Sequence, residues 1–164
     1  MGLSGISPII SPELLVALAR MGHGDKICFA DAHFPSESIG GGGSSNKNNS
    51  NSNLPLLVRA DGHEITPLLK AVAKLIPLDT YTEFPVQMMA AVVGDELDPA
   101  IEVRFAEAVE SAQPSMFRVE RVERFEFYER ARSAFVVVAT GETAKYGNVI
   151  LTKGVLGVGL DDAG

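Results

Sequence analysis

Five short stretches carry residue types that bear on moving protons or holding hydroxyl groups. His23 stands between two glycines in Met21-Gly22-His23-Gly24-Asp25. An imidazole titrates near 6.5, which suits reversible proton transfer near neutral pH, and flanking glycines let a ligand or another backbone approach closely. The same ring could instead cap a preceding helix, with Gly22 closing that helix in the left-handed conformation. Asp31 lies in Ala30-Asp31-Ala32-His33-Phe34-Pro35. It could orient an imidazole, grip sugar-like hydroxyls, or initiate a turn ahead of Phe34-Pro35. Arg59-Ala60-Asp61-Gly62 places opposite charges two residues apart on one strand face, which reads first as an ion pair. Arg124-Phe125-Glu126-Phe127-Tyr128-Glu129-Arg130-Ala131 mixes aromatics and charges at helical spacing, a core face beside a solvated one. Tyr146-Gly147-Asn148 offers a phenol, a close-approach glycine and an amide, a set suited to binding hydroxyls.

The elements that position these residues are legible from caps and periodicity. Ser11-Pro12, Thr66-Pro67 and Asp98-Pro99 each place a side-chain oxygen at N-cap and Pro at the first helical position, so three helices start there. Leu14, Leu15, Leu18 and Ala19 give the first an apolar face. Leu68, Leu69, Val72, Ala73 and Ile76 do so for the second, and Ile101, Phe105, Ala108 and Val109 for the third. A further helical segment spans 123–133. Between them lie six runs of strand length: 26–30, 54–60, 86–93, 117–122, 135–139 and 148–153. Val136-Val137-Val138 reads as a strand covered on both faces, and 117–122 as an edge or half-exposed strand. Strands alternating with helices predict an α/β fold: a single layered domain, residues 1–164, with a largely parallel central sheet of about six strands flanked by helices. Ligands of such sheets sit beyond the carboxyl ends of strands, where Asp31, Asp61, Arg124 and Thr140-Gly141-Glu142 fall.

Composition narrows the function. The 164 residues carry 21 acidic and 14 basic side chains, a net charge of -7, which leaves no basic footprint for nucleic acid. The single cysteine, Cys28, allows neither an intramolecular disulfide nor a thiolate metal cluster, and fits a reducing compartment. No apolar run approaches the roughly 20 residues of a membrane span, and no export signal is expected at the N-terminus. Gly2 starts a poor myristoylation match, and the sequon Asn48-Asn49-Ser50 is expected to stay unmodified. His33 and His63 near Asp31 and Asp61 show no metal-ligand spacing. Dinucleotide, phosphate-loop and nucleophile-elbow signatures are missing, leaving a nucleotide-free, metal-free site that uses acid and base groups. Residues 40–53, Gly-, Ser- and Asn-rich, read as a flexible loop insertion.

These stretches together carry a resemblance. Ile6-Ser7-Pro8-Ile9-Ile10-Ser11-Pro12-Glu13-Leu14-Leu15, the His23 motif, Asp31-Ala32-His33-Phe34-Pro35, Arg59-Ala60-Asp61-Gly62, Leu78-Asp79-Thr80-Tyr81, Gly94-Asp95-Glu96-Leu97-Asp98-Pro99, the Arg124 segment and Thr140-Gly141-Glu142 through Tyr146-Gly147-Asn148 follow one another in order. From Ile6 to Val155 the chain resembles the fucose branch of the ribose-pyranase/fucose-mutarotase family. The resemblance implies a cofactor-independent isomerase that interconverts the α and β anomers of L-fucose by ring opening and reclosure. It implies His23 as catalytic acid, with Asp31, Arg124, Tyr146, Gly147 and Asn148 binding the sugar and Tyr128 and Asp61 in support. It also implies a cytoplasmic homo-oligomer, a decamer of two stacked pentamers, whose sites lie at subunit boundaries where the Tyr146-Gly147-Asn148 turn reaches a neighbour's histidine.

Two alternatives stay open. Within the family, a ribose pyranase would pass through the same ring-opened aldehyde, so ribose or galactose could replace L-fucose as the monosaccharide partner. Outside it, a sugar-binding oligomer would use His23 only to bind. The one departure from the family pattern is the tract at 40–53, expected to be nearly neutral for activity.

Overall fold

The computed structural model describes residues 2–41 and 54–157. Ser11 and Asp98 act as their positions ahead of proline predict. The Leu14 N–H donates to Ser11 Oγ at 3.1 Å and starts α1, Pro12–Arg20; the Ala100 N–H donates to Asp98 Oδ1 at 2.9 Å and starts α4, Pro99–Glu110. The second helix departs from expectation. α3 runs Ile65–Val72 with Glu64 at N-cap, so Thr66 and Pro67 lie inside its first turn. A proline is tolerated there because first-turn N–H groups have no intrahelical partner, and starting two residues earlier buries Ile65 completely. Along α1, Leu14, Ala17 and Leu18 are buried while Ala19 faces solvent, shifting the expected stripe by a residue or two.

Six strands form one sheet: β1 Lys26–Ala30, β2 Leu56–Ala60, β3 Val86–Met89, β4 Val119–Val122, β5 Val136–Thr140 and β6 Val149–Thr152, in the order β2-β5-β1-β6-β3-β4. β1, β2 and β5 pair in parallel, as do β3 and β4, but β6 runs antiparallel to both β1 and β3. The sheet is therefore mixed and mostly parallel. The reason is the connection: β6 follows β5 too closely for the dozen or more residues that a parallel crossover needs. β4 is an edge strand, and β5, flanked on both sides, is buried throughout. β3 stops at Met89 because β6, whose Val149 faces Met88, extends no further.

The helices take opposite faces. α1, α3 and α4 bury Leu18, Leu68, Leu69, Phe105 and their neighbours with Ile27, Phe29, Met88, Val138 and Leu151 of the sheet. On the other face α5, Arg124–Arg132, buries Phe127 and Ala131 with Cys28, Ala30, Val137 and Ile150. Beside it lies a short helix that the sequence reading did not anticipate, α2, Ser36–Gly40. Gly40, expected to open the loop tract, is instead its buried last residue: a Cβ there would stand 3.0 Å from Val137 Cβ. The rest of the expected flexible loop, apart from Gly41, lies outside the described residues.

Candidate active site

The carboxyl ends of β1, β3 and β4 and the amino end of antiparallel β6 share one edge of the sheet, and there the polar residues collect. Asp31 follows β1 and Asn148 precedes β6, so the register that pairs Phe29 with Val149 sets them side by side. They exchange two hydrogen bonds: the Asp31 N–H donates to Asn148 Oδ1 and Asn148 Nδ2 donates to Asp31 Oδ2, each at 2.8 Å. The His33 N–H donates to Asp31 Oδ1 at 2.9 Å, closing the turn foreseen at that position. Burial pushes the Asp31 carboxyl above its usual range, against these donors and the nearby His33, which pull it down. Thr140 Oγ1 donates to the Ala30 carbonyl at 2.8 Å and the Ala32 N–H donates to the Glu142 carbonyl at 2.8 Å, so the end of β5 pins the backbone on both sides of Asp31.

Round Asp31 opens a cavity of about 270 Å³, lined by Asp31, His33, Arg124, Tyr146 and Asn148 on its polar side and by Phe34, Met89 and Tyr128 on its apolar side. Its volume lies just under the roughly 300–1,000 Å³ of typical ligand pockets, a size for one sugar ring rather than a nucleotide. Arg124 is the first residue of α5, with Glu123 as N-cap accepting from the Phe125 and Glu126 N–H groups. Its guanidinium lies 4.6 Å over the Phe125 ring, and its buried Nε has no hydrogen-bond partner among the described residues. A buried donor without an acceptor is costly unless a ligand supplies one. The Tyr146 O–H donates to Asp95 Oδ2 at 2.9 Å. That bond holds the phenol above its ordinary range and the carboxyl below, so Tyr146 stays protonated at neutral pH. Tyr146 has φ +59°, the strained left-handed region in which side chains are held mainly at functional sites. A Cβ on Gly147 beside it would stand a tight 3.0 Å from the Ala144 carbonyl oxygen.

His23 is elsewhere. It precedes β1 while Asp31 follows it, and five residues of strand put roughly 16 Å between the two sheet edges. Its Nε2 lies 3.2 Å from Asp79 Oδ1, which also accepts from the Tyr81 N–H at 3.1 Å; Tyr81 leans on the imidazole with ring centroids 5.6 Å apart. The ring does not cap α1: Met21 closes that helix in an extended conformation, and the left-handed glycine is Gly24, φ +84°, rather than Gly22. A carboxylate partner fixes the tautomer. Nε2 must donate, which leaves the lone pair of Nδ1 on a side chain that is 47% exposed.

Of the remaining sites, Asp61 forms the foreseen pair with Arg59, two hydrogen bonds of 2.9 and 2.7 Å at the surface, with Glu37 on the same guanidinium; it does not line the cavity of Arg124 and Tyr146. Among the described residues no group of three or more His, Cys, Asp or Glu is placed to hold a metal ion. No described helix is long and apolar enough to cross a membrane.

Residues 4–156 match the model of the RbsD / FucU transport protein family. The chain belongs to this family. It is 49% identical to the L-fucose mutarotase of Histophilus somni, over 93% of this chain and 96% of that one. A crystal structure of the fucose mutarotase from Streptococcus pneumoniae in complex with L-fucose superposes with a TM-score of 0.81 at 39% identity, covering 94% of this chain and all of that one. Bacillus subtilis RbsD complexed with D-ribose is further away, with a TM-score of 0.66 and 25% identity over 96% of this chain and all of that one. In this member of the RbsD / FucU family the polar groups thus form two clusters on opposite sheet edges. Sequence reasoning missed Asp79 and Asp95 as partners of His23 and Tyr146. Both stood in stretches already noted, Leu78-Asp79-Thr80-Tyr81 and Gly94-Asp95-Glu96, but only three-dimensional contact assigns them a partner.

Proposed function

We propose that this chain interconverts the α and β anomers of L-fucose, as a cofactor-independent carbohydrate isomerase. What carries the reading is its likeness, over nearly the whole chain, to L-fucose mutarotases. The cavity chemistry agrees. Asp31, Asn148 and Arg124 suit sugar hydroxyls, and the Phe34, Met89 and Tyr128 wall suits the apolar face of a 6-deoxy sugar.

Mutarotation removes a proton from the anomeric hydroxyl and adds one at the ring oxygen; the aldehyde rotates and closes on its other face. The bond that breaks is the one between the ring oxygen and the anomeric carbon, and its reversal needs no electron sink. His23 is the proton-transfer group: with Nε2–H on Asp79, its Nδ1 can take and return a proton, an effect worth roughly 10²–10⁴ in rate. Tyr146 is the second group: with its one O–H donating to Asp95, its phenol oxygen accepts from a sugar hydroxyl, so it serves as a hydroxyl ligand rather than as a standing base. Asp31 and Arg124 hold the sugar in place.

Because His23 and the cavity occupy opposite edges, one chain does not complete the site. We assign completion to a neighbouring copy in a ring, a decamer of two stacked pentamers, placing one subunit's His23 and Asp79 over the next subunit's cavity. A cytoplasmic setting suits the buried lone thiol of Cys28, which burial pushes well above its ordinary range. The greater distance to RbsD supports L-fucose over ribose as the substrate. Saturation-transfer NMR on the anomeric protons of L-fucose, with ribose and galactose in parallel, tests this. Accelerated exchange for L-fucose that vanishes in His23→Ala is expected; exchange undiminished in that variant would remove His23 from the chemistry, and none with any sugar would leave a binding protein.

A further inference from the structure

Residues 152–154, at and just beyond the end of β6, are gripped on two sides. On one side the Gly24 N–H donates to the Lys153 carbonyl at 2.8 Å and the Lys153 N–H donates to the Asp25 carbonyl at 2.9 Å. On the other the Asp79 N–H donates to the Thr152 carbonyl at 3.0 Å and the Gly154 N–H donates to the Pro77 carbonyl at 2.9 Å, with Leu78 bridged to Lys153. The loop carrying His23 and the segment carrying Asp79 thus hang on the same three residues. Two side-chain features tighten the arrangement. Lys153 Nζ donates to the Met21 carbonyl, two residues before His23. Gly154 lies flat against the other segment: a Cβ on it would stand 2.6 Å from the Leu78 oxygen and 2.8 Å from Asp79 Cα. These are backbone atoms that cannot swing aside, and the second contact falls roughly 1 Å short of ordinary carbon–carbon separation.

We propose that Lys153 and Gly154 are positioning residues of the reaction, setting the spacing and angle between His23 and Asp79 and hence the tautomer that leaves Nδ1 free. The inference rests on the proposed role of His23 in proton transfer. Neither residue lines the cavity of its own chain, and each acts on the dyad through the backbone that carries it. A side chain at 154 pushes the 78–79 backbone away from the His23 loop, and a misplacement of roughly 1 Å is enough to cost about 10²-fold in rate. Removal of the Lys153 ammonium frees the Met21 carbonyl and loosens the loop from its other end.

The test compares Gly154→Ala, Lys153→Met and Lys153→Arg with wild type and His23→Ala. Assembly, L-fucose anomer exchange and the ¹⁵N signals of the His23 ring are each followed at a pH where the ring is neutral. For Gly154→Ala, kcat falls about ten- to a hundredfold with KM held within about twofold, since sugar binding is left intact. The ring nitrogens, distinct in wild type with the proton on Nε2, move toward the average of the two tautomers. Lys153→Met follows in the same direction by a smaller factor, and Lys153→Arg restores both signals. Assembled variants with wild-type kcat and a single tautomer overturn the inference while leaving the role of His23 intact, provided His23→Ala is inactive. If His23→Ala keeps exchanging anomers, the underlying reading falls and this one with it. Should Gly154→Ala fail to assemble, the two Lys153 variants decide alone.

Discussion

Asp31 keeps a carboxyl group where burial favours its protonated form, although the His33 N–H and Asn148 Nδ2 both donate to it. Its native pKa lies above the unfolded value, so the native state binds the proton more tightly. The stability it contributes is therefore fully present below the ordinary carboxyl pKa of about 3.9 and is lost as pH rises through the raised native value. The stability of wild type relative to Asp31→Asn is expected to fall as pH increases across that window, read from urea unfolding at a series of pH values. A difference that stays flat or grows would mean that burial does not set the carboxyl's behaviour. The identity of Asp31 as a site candidate was legible, since a carboxylate after an apolar strand of an α/β sheet sits where ligands bind. Its partner Asn148 was legible only as a neighbour of Tyr146; the pairing needed the β1–β6 register.

Among the elements, α3 shows where local signals and packing conflict. Thr66-Pro67 is a strong helix-start signal, yet the helix begins earlier because burying Ile65 outweighs a side-chain cap. Glu64 makes no side-chain capping hydrogen bond, and Thr66 Oγ1 is buried without a partner among the described residues. A buried unsatisfied hydroxyl costs about 1–3 kcal/mol, so Thr66→Val, which keeps the shape and removes the polar atom, should stabilise the fold by about 1 kcal/mol. Denaturant midpoints at unchanged slope would show it; a destabilised variant would mean that the hydroxyl is satisfied in solution. α1 and α4, where cap and packing agree, start where the sequence says. α2 escaped notice because five residues are too few for an apolar period and its Gly40 reads as loop until Val137 is seen against it.

At the level of the whole molecule, the separation of His23 from the cavity has a test that no single variant supplies. On the proposed ring, His23→Ala spoils the site on one side of each subunit and Arg124→Ala the site on the other. Each alone is inactive, but a mixed assembly contains junctions where an intact His23 meets an intact cavity. With equal amounts refolded together and random placement, about a quarter of sites are whole, so roughly a quarter of wild-type anomer exchange should return. Activity that stays at background in mixed oligomers would mean that each chain builds its own site by moving His23.

Sequence alone determined the layered α/β class, the caps of α1 and α4, the doubly covered β5, the edge position of β4 and most of the polar residues that line the cavity. Each of these rests on physics that acts within a few residues: side-chain oxygens reaching nearby N–H groups, the two periodicities of burial, a carboxylate at a strand end. The tertiary structure decided what depends on contacts between distant segments. It turned β6 antiparallel, brought Asn148 to Asp31 across 117 positions of chain, gave His23 its Asp79 and Tyr146 its Asp95, and set the two clusters on opposite edges. No local pattern encodes these pairings, because which strands become neighbours, and in which register, is settled by burying the whole sheet at once.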